Sequence, residues 1–160
     1  LKAGIKKVLC ATDLSDKCDH IYRCAMDLAC KKDGKLTVIH VINQRSINVA
    51  KKLAYFFNET QKDIVKEKAY IALQRMQQQL GSFVNRKEFE NYALCLDLVV
   101  NLIVHKGKIA KEILEKADRF GFDAIVLGAS NNSFLTRFLP GGTTKKVLKQ
   151  SKKPVFVASL

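Results

Sequence analysis

At 160 residues, with 48% hydrophobic and 27% charged side chains, the chain has the composition of a globular protein able to bury a core without disulfide or metal staples. It contains no apolar run of the roughly 20 residues that a spanning helix needs and no signal-peptide pattern, so the cytoplasm is the expected compartment and no membrane partner is expected. The formal net charge of +13 is uneven, since residues 124–160 contain no Asp or Glu yet carry Arg137, Lys145, Lys146, Lys149, Lys152 and Lys153.

In chain order, residues 5–11 form a short apolar strand, and Thr12 to Asp16 break it. Ser15 is placed to cap the next helix, with Asp16 in its first turn. That helix runs to about residue 32 and turns Ile21, Cys24, Ala25, Leu28 and Ala29 inward at helical spacing. After a turn at Asp33 and Gly34, residues 36–42 are β-branched and apolar on both faces, as a central parallel strand requires.

Residues 50–80 are helical in pattern and highly charged, with Thr60 and Asp63 in a capping arrangement that divides the segment into two helices near Asn58. Gly81 is expected to end it, and residues 86–94 are expected to add a short helix. Residues 98–104 make a third strand and 109–120 a helix with Ile113, Leu114 and Ala117 inward. Residues 124–127 then form a fourth strand, 143–150 a helix and 155–159 a fifth strand. Strands alternating with helices give an α/β fold: a doubly wound five-stranded parallel sheet, order 3-2-1-4-5, with helices on both faces and one domain over residues 1–160.

The five cysteines, Cys10, Cys18, Cys24, Cys30 and Cys95, contain no CxxC pair, so reduced and mostly buried thiols are expected, with no metal site. His20, His40 and His105 lack ligand spacing. No nucleophile–base pair stands beside Asp13, and no catalytic set is expected. The basic C-terminal region attracts anions, but without base-reading or aromatic interleaving it implies no specific nucleic-acid partner.

In a sheet of this order a ligand sits where the winding reverses, between Asp13 and Gly128. Asp13 can accept from a ribose hydroxyl or face magnesium, although a post-strand aspartate is also an ordinary turn residue. Gly128 allows close backbone approach, and Gly141 with Gly142 exposes amides at a helix start to phosphate; a plain turn after Pro140 is the alternative.

The chain resembles the universal stress protein family over nearly all its length. The carriers are Val8-Leu-Cys-Ala-Thr-Asp13-Leu-Ser15, Leu36-Thr-Val-Ile-His40-Val41, Gly107 with Glu112-Ile113, Gly121-Phe-Asp-Ala-Ile-Val-Leu-Gly128 and Lys153-Pro-Val-Phe-Val157. The resemblance implies an adenine-nucleotide α-hydrolase-like fold and a stress-response binding module. It also implies an ATP site, with or without magnesium, at Ala11, Asp13, Val41, Leu127, Gly128, Asn131, Gly141, Gly142, Thr143 and Thr144. ATP-binding members carry G-x-x-G, nine residues, then G-S/T. Here Asn131 replaces the second glycine and Gly142 the hydroxyl residue, leaving Thr143 and Thr144 to supply hydroxyls. A nucleotide-free dimeric interaction protein and a weak ATPase are the alternatives. The last strand, residues 155–159, leaves an apolar sheet edge, and a homodimer through it is expected.

Overall fold

The computed structural model describes residues 4–31, 33–57, 64–85, 96–129 and 141–158. Its strands are β1 (Lys7–Ala11), β2 (Lys35–Asn43), β3 (Val99–Gly107), β4 (Ala124–Gly128) and β5 (Val155–Ala158). They form a parallel sheet in the order β3-β2-β1-β4-β5. The helices are α1 (Asp19–Cys30), α2 (Gln44–Phe56), α3 (Ile64–Asn85), α4 (Ile109–Arg119) and α5 (Gly142–Gln150), with a short 3-10 turn at Leu96–Leu98.

The two-residue period of a strand separates two cores. Val8, Cys10, Leu36, Val38 and Val126 point to one face, where they pack with Tyr22, Met26, Met76 and Phe83 of α1 and α3. Leu9, Ile39, Val41, Ile125 and Leu127 point to the other, against Ile113 and Ala117 of α4 and Val147 of α5. At the entry to the sheet, Asp123 Oδ2 accepts from the backbone N–H groups of Lys6 and Lys7 at 2.9 and 2.8 Å. Those two donors hold its carboxyl below the usual carboxylate range.

Several local expectations are corrected. Ser15 does not cap α1: the N-cap is Cys18, which makes no side-chain cap bond, and Asp19 rather than Asp16 occupies the first turn. The polar residues of that loop bond to their own backbone instead, a competition open to Ser, Thr and Asp. Tyr22 and Met26 are fully buried in α1, while Cys24 and Leu28 are half-buried.

Helix α2 begins directly after β2, because Asn43 Oδ1 accepts from Arg45 N at 3.0 Å and caps it. Gly81 does not end α3, which continues to Asn85; a Cβ there would meet nothing, so the glycine costs only helix propensity. The division of residues 50–80 into two helices is present, with Asn58, Thr60 and Asp63 outside the described residues, as is the helix expected over 86–94. Cys10, Cys18 and Cys24 are free thiols, but Cys30 is disulfide-bonded, which corrects the expectation for that residue. Burial pushes the Cys10 and Cys24 thiols up and Cys18 up to about 11, so none of the three is a poised nucleophile. Among the described residues no His, Cys, Asp and Glu cluster could hold a metal ion, and no helix is long and apolar enough to cross a membrane.

Candidate functional site

The register of β1 brings Ala11 beside Ile39 of β2 and Leu127 of β4. Because β2 lies on one side of β1 and β4 on the other, the loops leaving β1 and β4 diverge and open a cleft of ≈ 900 Å³. Its volume falls within the range of about 300–1,000 Å³ typical of small-molecule sites. Ala11, Asp13, Val41, Leu127, Gly128, Thr143 and Thr144 all line it. Gly141 and Gly142 stand at the start of α5 without forming its wall, and Asn131 lies outside the described residues.

The loop after β1 is tightly held. Thr12 N donates to Ile39 O at 2.9 Å, Leu14 N to Thr12 Oγ1 at 3.0 Å and Ser15 N to Asp13 Oδ1 at 2.9 Å. Leu14 adopts a left-handed backbone, φ 61°, at a cost of about 1–2 kcal/mol for a side chain with a Cβ. Two long-range contacts hold that conformation. Gln79 Nε2 of α3 donates to Leu14 O and Ser15 O, each at 3.1 Å, and His40 Nδ1 lies 2.9 Å from Thr12 O. A carbonyl only accepts, so Nδ1 is the protonated nitrogen of His40. With Oδ1 engaged by Ser15, exposed Asp13 presents its second carboxylate oxygen to an incoming group.

On the opposite wall, the Thr144 hydroxyl donates to Gly128 O at 3.0 Å, and Thr144 is buried. That bond engages the hydroxyl proton of Thr144, which lines the cleft beside Thr143. Gly128 also has a different reason to be glycine: a Cβ there would lie 2.8 Å from Ile21 Cδ1 of α1. Among the described residues, a Cβ at Gly142 would meet nothing. Gly141 is the N-cap of α5 in an extended conformation (φ −60°, ψ 165°), without a side-chain cap, and no acidic residue occupies the first turn. The amides of Gly142, Thr143 and Thr144 precede the first intrahelical bond, from Lys145 N to Gly141 O at 2.9 Å, and have no intrahelical acceptor.

Ile109 and Ile113 from α4, and Lys68 and Ala72 from α3, also line the cleft. Arg75 at its rim pairs with Asp16 at 3.0 Å. Beyond the rim, Gly107, at φ 151°, makes room for Glu112, whose Oε1 would be 2.5 Å from a Cβ at that position.

The model of the universal stress protein family matches residues 4–159. The chain belongs to that family. Universal stress protein MJ0577 of Methanocaldococcus jannaschii is 26% identical over 166 residues, covering 95% of this chain and 93% of its own length. The MJ0577 structure superposes with a TM-score of 0.73 at 23% identity, covering 99% of this chain and 98% of that one. Two further solved structures share the fold. A universal stress protein in complex with cAMP gives a TM-score of 0.57 at 16% identity, covering 98% of each chain. The universal stress protein of Archaeoglobus fulgidus in complex with dAMP gives 0.52 at 17%, covering 95% of this chain and 96% of that one.

Proposed function

We propose that this universal stress protein binds an adenine nucleotide in the β1–β4 cleft and acts as a stress-response binding module in the cytoplasm rather than as an efficient enzyme. One observation carries the reading: the apolar slot of Ala11, Val41 and Leu127 and the start of α5, whose first amides have no intrahelical acceptor, border the same switch point. An apolar slot suits a base, and a helix start without acidic residues suits phosphate. The residues present fit such a ligand. Asp13 offers one carboxylate oxygen to ribose or magnesium, Thr143 offers a hydroxyl, and Gly142 leaves its surroundings open. The cAMP and dAMP complexes of other family members support the ligand class. Calorimetric titration with ATP and magnesium tests it, and no heat and no thermal shift at millimolar ATP would defeat it.

A second reading is favoured by the Thr144–Gly128 bond and by β5, the sheet edge, where Val157 is 36% exposed. In this reading the cleft is vestigial and the protein acts as a homodimer paired through residues 155–159, of which Ser159 lies outside the described residues. Dimerisation by itself is compatible with both readings; it is the ATP titration that separates them.

A further inference from the structure

Helix α2 exposes far more apolar surface than it buries. Ile47 and Ala54 are its only fully buried residues among those described, seven apart on one narrow seam. Val49, Leu53 and Phe56, at i, i+4 and i+7, form an outward stripe exposed by 57%, 53% and 82%. Tyr55 and Phe57 flank its end at 75% and 73%. An exposed apolar patch of this kind marks an interaction surface. The sequence of α2 contains no Asp or Glu, and its Arg45 and Lys52 are exposed.

We infer that α2 docks on an anionic lipid surface, with Tyr55, Phe56 and Phe57 entering the headgroup region. Consecutive helical residues point about 100° apart, so these three aromatic side chains project around the helix end rather than along one side. At a bilayer interface aromatic and aliphatic side chains enter the headgroup and acyl boundary while basic residues stay among the headgroups. Arg45 and Lys52, with no acidic neighbour on the helix, match the negative potential of anionic headgroups. Single-stranded nucleic acid would stack on the rings but leave Val49 and Leu53 unused. The mode is peripheral, and it revises the expectation of no membrane partner without requiring a spanning helix.

The chain contains no tryptophan, so Phe56→Trp reports from this one place. The full chain carrying this change should float with phosphatidylcholine vesicles containing phosphatidylglycerol, but not with phosphatidylcholine alone, and its emission should shift to the blue on binding. Wild type with both Phe56→Ser and Phe57→Ser should lose flotation at moderate salt while keeping its melting temperature, since both side chains are exposed. An indole whose emission stays at its aqueous position on vesicle-bound protein would overturn the proposal, because charge alone would then explain adsorption. Flotation unchanged in the double serine variant would overturn it too, as would quenching by a single-stranded oligonucleotide with no response to vesicles.

Discussion

The hydroxyl of Thr144 donates to the carbonyl of Gly128 across 3.0 Å, joining the first turn of α5 to the last residue of β4. The same bond closes one wall of the cleft and engages the hydroxyl proton of Thr144. Thr144→Val keeps the shape, removes the donor and leaves the Gly128 carbonyl without that partner. A loss of about 1–2 kcal/mol in unfolding free energy is expected, with Thr144→Ser retaining most of it. Urea denaturation measures both, and equal stability of the valine and serine variants would contradict the role.

Gly142→Ser adds a hydroxyl at the start of α5, where ATP-binding members of the family carry Ser or Thr. A Cβ at this position meets no atom of the described residues, so the melting temperature should not fall. Under the nucleotide reading, ATP affinity should rise roughly tenfold, or about 1.4 kcal/mol. Calorimetry on both proteins, and on the variant that also carries Asn131→Gly, checks this. Binding that stays identical in all three would show that the α5 start makes no phosphate contact.

Gly128→Ala drives a methyl group to 2.8 Å from Ile21 Cδ1. Overpacking of this kind costs about 1–3 kcal/mol, reduced where the neighbour is the end of a flexible side chain. Ile21→Val removes the offending carbon, so the double variant should be more stable than the sum of the single changes implies. Strict additivity in thermal unfolding would place the strain elsewhere.

Asp123 gives a pH signature. Its folded carboxyl titrates below the usual range because Lys6 N and Lys7 N donate to it. A depressed carboxylate contributes stability above its unfolded pKa and loses it as pH falls through the folded value. Asp123→Asn should therefore lower the melting temperature at neutral pH, with the gap to wild type closing in acid. Because the side chain is exposed, the effect is modest. A gap independent of pH would assign the loss to geometry rather than charge.

Val157→Lys places a charge in the middle of the edge strand β5, where Val157 is partly exposed. If residues 155–159 pair two copies, sedimentation should show a dimer for wild type and a monomer for the variant, with unchanged circular dichroism. A monomeric wild type at micromolar concentration would remove the dimer.

The sheet was legible because its central strands are continuous apolar runs, such as residues 36–42 and 124–127, which only a doubly covered parallel sheet can bury. Capping was harder to read. Thr12, Asp13, Ser15 and Asp16 are all cap formers, yet Thr12 and Asp13 bond within the loop and Asp16 pairs with Arg75, while the working cap at Asn43 stood at the end of a strand. In the cleft, the positions of Asp13 and Gly128 followed from strand order, and those of Val41 and Leu127 from the family resemblance. The restraints from His40 and Gln79 did not, because Gln79 reaches Leu14 across 65 residues of sequence and no local pattern encodes the contact. Gly128 was read as a ligand approach, while its neighbour in the structure is Ile21, a packing partner from another element.

Asn43 is at once the last residue of β2 and the cap of α2, so strand and helix meet with no connecting residue between them. The 13 residues of α2 span about 20 Å, so the aromatic tip stands that far from the strand end to which Asn43 ties it. The strand that lends Val41 to the cleft thus also anchors the helix that presents Phe56 to solvent.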